Sequence, residues 1–250
     1  MIILLIFILA IIAELLDSSL GMLYGTLLSP LLILLGFDPL IVVPSILLSQ
    51  AIGGIVATIR HHKFNNAEFC FQSKDFKVGI IIFSLGIVAV LIGTLLAIKI
   101  DKNILKTYIS ILVILMGLLV VLNLKFKFSW KSITLLGLLS SFNKSLSGGG
   151  FGPVLSTGQI ILGRESKNSV ATTDFAEVPI CLTGFAFWFF ISSTPLNLYL
   201  LSSLCLGSII GAYFGPFVLS KMKNENIIKK IIGGLAIILG LLLLFTKISI

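Results

Sequence analysis

Lys144-Ser145-Leu146-Ser147-Gly148-Gly149-Gly150-Phe151-Gly152-Pro153 interrupts a mostly apolar run that extends from Ser129 to Leu162. Three consecutive glycines carry no side chain and reach backbone angles closed to other residues. Pro153 has no amide proton and disfavours helix in the residue before it. The stretch therefore predicts a broken membrane helix. Hydrocarbon tolerates irregular backbone only where protein or a watery cavity surrounds it, so the break, with Lys144 just ahead of it, is a candidate site. Gly148 and Gly152 also form a small-xxx-small pair, and the same residues read equally well as a helix-packing surface.

The surrounding composition sets the class. The chain has 250 residues, 57% hydrophobic and 11% charged, against about 25% charged in soluble domains. Its apolar segments run to the roughly 20 residues that cross a bilayer as helix. No alternating barrel pattern is present, so the expected class is an all-α, multi-pass protein of the cell membrane. The net charge of +8 does not point to nucleic acid, because the lysines lie between apolar runs, where cytoplasmic loops carry them. Met1 to Ala13 is apolar with no Lys or Arg ahead of it, which predicts a retained first helix rather than a cleaved signal. Cys70, Cys181 and Cys205 lack CxxC spacing, so neither a disulfide framework nor a zinc site is expected.

A partial repeat divides the chain into 1–123 and 124–250. At a shift of 123, Gly25 falls on Gly148, Pro30 on Pro153, Asn103 on Asn226, Lys106 on Lys229 and Gly117 on Gly240. Each half reads as one long broken run (1–36 and 130–163) followed by three ordinary spans (39–59, 78–98 and 103–123; 168–191, 196–219 and 226–246). If both long runs are hairpins, one side of the membrane receives thirteen of the eighteen Lys and Arg, within 60–77, 125–131, 164–167 and 221–230. The other receives Lys99, Lys102, Lys106 and Lys247, with Lys144 left in the break. If each run crosses once, the bias disappears. Loop charge thus favours hairpins, with both termini outside. Five helical elements per half then make the second half an inverted repeat of the first, a transporter architecture.

Two hairpins entering from opposite sides bring their breaks together near the bilayer centre. The first break is Asp17-Ser18-Ser19-Leu20-Gly21-Met22-Leu23-Tyr24-Gly25-Thr26. Half-helices that start after such breaks point free amides and a positive dipole end into the cavity, which suits an anion. The candidate binding residues are Ser18, Ser19, Gly21, Gly25, Thr26, Lys144, Ser147, Gly148, Gly149 and Gly150, with Ser145 at the same level. Lys144 reads either as a ligand for the anion or as the partner of a buried acid, with the ion pair preferred because lone membrane charges are costly. The acids Glu14 and Asp17, and Asp174 and Glu177, are each spaced i, i+3 on one helix face and are the candidate coupling residues. Asp17 also suits a capping role. His61-His62 reads as an interfacial basic cluster, and Trp130, Trp188 and Tyr199 as interface anchors or packing residues. The glycine run is no Walker loop, since no Lys-Ser/Thr follows it. No nucleophile, base and orienter form a catalytic set, so no enzyme is expected.

These residues resemble a known family. The first break, Ser29-Pro30-Leu31-Leu32, Gly36-Phe37-Asp38-Pro39 and Arg60-His61-His62 look like the first-half signature of the sulfite exporter TauE/SafE family. Gly148 to Pro153 and Ala171-Thr172-Thr173-Asp174-Phe175-Ala176-Glu177 resemble its second. The chain departs from many members at Gly21-Met22-Leu23-Tyr24-Gly25, where they carry a glycine triplet. The resemblance implies a permease with duplicated halves that moves a small anion such as sulfite or an organosulfonate, and it adds Thr173 to the binding residues. No nucleotide motif is present, so coupling to H+ or Na+, or facilitated passage, is implied. No cofactor and no resident metal are expected, and a homo-oligomer is compatible with the sequence. The alternatives are a cation or metal permease using the carboxylates, and a non-catalytic membrane subunit.

Overall fold

The computed structural model describes residues 2–122, 129–192, 195–222 and 226–245. Lys125, Lys127, Lys223 and Lys247, which entered the loop-charge argument, lie outside them. The described residues form ten helices and no strand: α1 (Ile2–Leu20), α2 (Tyr24–Leu34), α3 (Pro39–Lys63), α4 (Lys74–Lys99), α5 (Lys102–Leu122), α6 (Trp130–Ser147), α7 (Phe151–Ile161), α8 (Ser166–Ile191), α9 (Leu198–Lys221) and α10 (Asn226–Phe245). Five of them, α1, α3, α4, α8 and α9, are long and apolar enough to cross a membrane. The protein is an all-α, multi-pass membrane protein.

Local chemistry sets the boundaries. Asp38 caps α3 by accepting from the Leu40 amide (2.9 Å), with Pro39 at the first helical position, where its missing N–H costs nothing. Ser73 caps α4 and Asn197 caps α9 through side-chain bonds to the Phe76 and Leu200 amides. α1 and α6 both stop where the chain turns left-handed at glycine, Gly21 and Gly148, each at φ +74°, a conformation open to glycine at little steric cost.

Small residues fix how the long helices pack. Side chains added at Gly207, Gly211 and Gly215 of α9 would meet, in turn, Ala10, Ile11 with Glu14, and Ser18 of α1. The two helices therefore run parallel at close approach. Gly86 and Gly93 of α4 face Ser141 and Ser145 of α6 in the same parallel sense. The partners of α1 and α6 thus correspond, as do two further pairs: α3 packs on α9 and α8 on α4, while α3–α8 and α5–α10 meet each other.

Polar contacts identify the two ends of the bundle. Arg60 donates to the Tyr213 carbonyl (3.1 Å), Asn66 to the Pro216 carbonyl (2.9 Å) and Lys167 to the Ser220 carbonyl (3.1 Å). The end of α3, the start of α8 and the end of α9 therefore share one basic end. At the opposite end, the start of α3, the end of α8 and the start of α9 border an open pocket of about 380 Å³ lined by Leu40, Pro44, Trp188, Phe189 and Leu198. Because α1 runs parallel to α9, it begins at this apolar end, and α2 brings the chain back there to start α3. The α6–α7 segment begins and returns at the basic end.

Similar backbone features also recur along the chain at a second spacing. The left-handed glycines pair as Gly21 with Gly148 and Gly36 with Gly163, a spacing of 127 rather than 123. Tyr24 and Phe151 start α2 and α7, and Pro39 and Ser166 start α3 and α8, at the same 127. The α3–α4 connection, 64–73, is four residues longer than the α8–α9 connection, 192–197. That difference returns the spacing to 123 at Asn103 and Asn226. The 123 shift thus describes the later helices, and 127 aligns the breaks.

Candidate functional site

The two breaks meet backbone to backbone. A Cβ at Gly149 would lie 2.8 Å from the Gly25 carbonyl oxygen, and one at Gly25 would collide with the Gly148 carbonyl. Ser29 of α2 donates to the Ser147 carbonyl (2.7 Å), tying the first half-helix to the second break. The amides at the glycine run already have partners: Gly149 N donates to Ser147 Oγ (3.1 Å) and Gly150 N to Thr26 Oγ1 (3.2 Å).

Charge gathers beside this contact. Lys144, 1% exposed, places Nζ 2.7 Å from Glu177 Oε1 and also donates to Gln50 Oε1. The other end of the Gln50 amide donates to Asp17 Oδ2 (2.8 Å), while Asp17 Oδ1 accepts from the Tyr24 amide (3.2 Å). Lys144 can only donate and the carboxylate only accept, so the amide orientation is fixed. Lys144 therefore pairs with a buried acid, and Asp17 accepts from the first amide of the following half-helix. One oxygen from each of Asp17, Asp174 and Glu177 lies within 4.8 Å of the others. This spacing could hold a cation or shared protons. Glu14 is buried one turn before Asp17, and its Oε2 has no hydrogen-bond partner.

His61 belongs to this cluster and is not interfacial; only His62 is exposed. The basic neighbours Arg60 and Lys63 suggested a surface position, but the ring turns inward to Asp174 Oδ2 (Nε2···O 2.9 Å). Asn66 Nδ2 contacts both His61 Nδ1 (3.0 Å) and the Pro216 carbonyl (2.9 Å). A carbonyl accepts only, so the amide NH2 faces both partners. The ring therefore accepts at Nδ1 and donates from Nε2 to Asp174. Trp188 is likewise buried and donates to the Ser145 carbonyl (3.1 Å), so it links the apolar-end pocket to the residue beside Lys144. Trp130 and Tyr199 are exposed.

The remaining candidates have other engagements. Ser18 and Ser19 donate to the Glu14 and Leu16 carbonyls of their own helix. Thr173 donates to the Ser169 carbonyl and accepts from Ser156 and Gln159. Gly21 faces Ser156 in that same group. Nearer the basic end, Arg164 pairs with Asp75, which also accepts from Asn168 (2.8 Å) and the Glu68 amide (3.1 Å). Burial pulls the Arg164 guanidinium below its usual pKa, against the upward pull of Asp75.

Sequence reasoning missed Gln50. An uncharged amide in an apolar span carries no signal of its own, but its 127-residue counterpart is Glu177, just as Lys144 is the counterpart of Asp17. The equivalent pairs Asp17–Gln50 and Lys144–Glu177 thus stand side by side.

The chain is 26% identical over 243 residues to a probable membrane transporter protein, YtnM, of Bacillus subtilis (strain 168), covering 91% of this chain and 78% of that one. No solved structure matches it. The family model of the sulfite exporter TauE/SafE matches residues 6–243, nearly the whole described bundle with both breaks and every charged residue of the cluster, and the chain belongs to that family of membrane transporters.

Proposed function

We propose that this protein is a secondary transporter that carries a small sulfur oxyanion or organic anion, such as sulfite or an organosulfonate, coupled to H+ or Na+. Residues 1–123 and 124–250 are its inverted repeats, with the basic end in the cytoplasm. The observation that carries the reading is the placement of Lys144, buried at the meeting of two glycine breaks and surrounded by carboxylates. Lys144 is the one cation in the cluster and the attraction for the anion. The amides of Gly149 and Gly150 become donors to it once Ser147 and Thr26 let go. Glu14, Asp17, Asp174 and Glu177, all ionised, would exceed the single ammonium by three negative charges. Buried charge in that excess is too costly to persist, so the cluster takes up protons or a cation, and that uptake drives the anion. No covalent step is required, and the role is not enzymatic.

A second reading, a cation permease, is favoured by the close Asp17–Asp174–Glu177 triad. Purified protein in liposomes, offered sulfite, thiosulfate, sulfoacetate, sulfate and divalent cations in turn, separates the two. Flux of a sulfur anion, with no divalent flux, is expected. Divalent flux without anion flux would replace the first reading by the second.

A further inference from the structure

Gln50 occupies a singular place. One side-chain amide separates Asp17 from Lys144, residues of opposite charge at equivalent positions of the two halves. A carboxylate and an ammonium this close in a low-dielectric interior attract strongly. With the amide removed, nothing on the Asp17 side holds them apart. Asp17 would keep the Tyr24 amide at Oδ1, leaving Oδ2 free for the ammonium. Lys144 would then bridge Asp17 and Glu177, one carboxylate from each half, and have less capacity left for a ligand.

We infer that Gln50 is a positioning residue: it insulates Lys144 from Asp17 and so keeps the ammonium available to the transported anion. The inference rests on the reading of Lys144 as the residue that attracts the anion. The amide suits the task because its ends are complementary to both neighbours and it carries no charge to add to the cluster. A carboxylate at position 50 would capture Lys144 itself and repel Asp17. An apolar side chain would leave both buried groups short of a partner and drive them together. The counterpart position in the second half holds Glu177, so only one of the two equivalent places is filled by a neutral spacer.

The test is sulfite and sulfoacetate affinity, measured by thermal shift on purified full-length protein. Gln50→Ala should weaken binding about tenfold or more, as a charge-assisted contact is lost to Asp17. Adding Asp17→Asn, which removes the competing charge, should restore most of that loss. A role for Gln50 in folding alone does not produce such rescue. If Gln50→Ala does not fold, Gln50→Met, of similar length without polar ends, serves in its place. Undiminished affinity in Gln50→Ala overturns the inference, and so does an equal loss in the double variant. Lys144→Met separates this failure from that of the anion reading. If Lys144→Met binds as wild type, both fall; if it weakens binding while Gln50→Ala does not, only the spacer falls.

Discussion

Gly25 and Gly149 touch through their backbones, and this contact joins the two halves of the protein at the site. A Cβ at position 149 would stand 2.8 Å from the Gly25 carbonyl oxygen and 3.1 Å from the Thr26 Cα. The glycines are therefore required for close approach of one break to the other, before any ligand is considered. Gly149→Val should cost roughly 1–3 kcal/mol by overpacking and abolish transport, with Gly149→Ala intermediate. Thermal unfolding of the purified variants, read beside flux, checks this. Wild-type stability in Gly149→Val would mean that the breaks part readily.

Orientation can be read from a native thiol. Cys70 is exposed in the 64–73 connection at the basic end, whereas Cys181 is buried and Cys205 half-buried. With that end in the cytoplasm, a membrane-impermeant maleimide should label Cys70 only after cells are permeabilised, and Cys70→Ser should remove the signal. A cysteine at Met222 should behave likewise. Labelling of Cys70 in intact cells would reverse the assigned orientation.

The His61 chain makes a prediction about stability. Asn66 donates to both His61 Nδ1 and the Pro216 carbonyl, so Asn66→Ala removes a bond from each and leaves His61 Nδ1, a buried acceptor, unpaired. That loss should cost about 1–3 kcal/mol. His61→Ala should cost more, because it also deprives Asp174 of its donor and opens a cavity. Chemical denaturation of the three proteins gives the ranking; Asn66→Ala as stable as wild type would contradict it.

Much of this was legible before the structure, for identifiable reasons. Glycine and proline have backbone consequences that do not depend on context, so both breaks and all ten helices follow from the chain. The acids stood out because charge in an apolar span is costly. The interior partners were not legible. His61 looked superficial beside Arg60 and Lys63, since sequence neighbours say nothing of which way a ring turns at a helix end. Gln50 gave no signal because its importance lies in what stands at either end of it. The repeat spacing was set by the later helices, and the longer 64–73 connection hid the 127-residue register that pairs Asp17 with Lys144.

In the proposed function Glu177 is where the anion and coupling roles would meet, since it holds Lys144 at 2.7 Å and shares the carboxylate triad. The most direct measurement is accumulation of labelled sulfite in liposomes against its own gradient, driven by an imposed H+ or Na+ gradient. Wild-type protein should accumulate the anion, and Glu14→Gln, lying off the triad, should largely retain this. Glu177→Gln should fold but only equilibrate sulfite, or fail to move it. Full accumulation by Glu177→Gln, or no sulfite movement by the wild type under either gradient, would contradict the account.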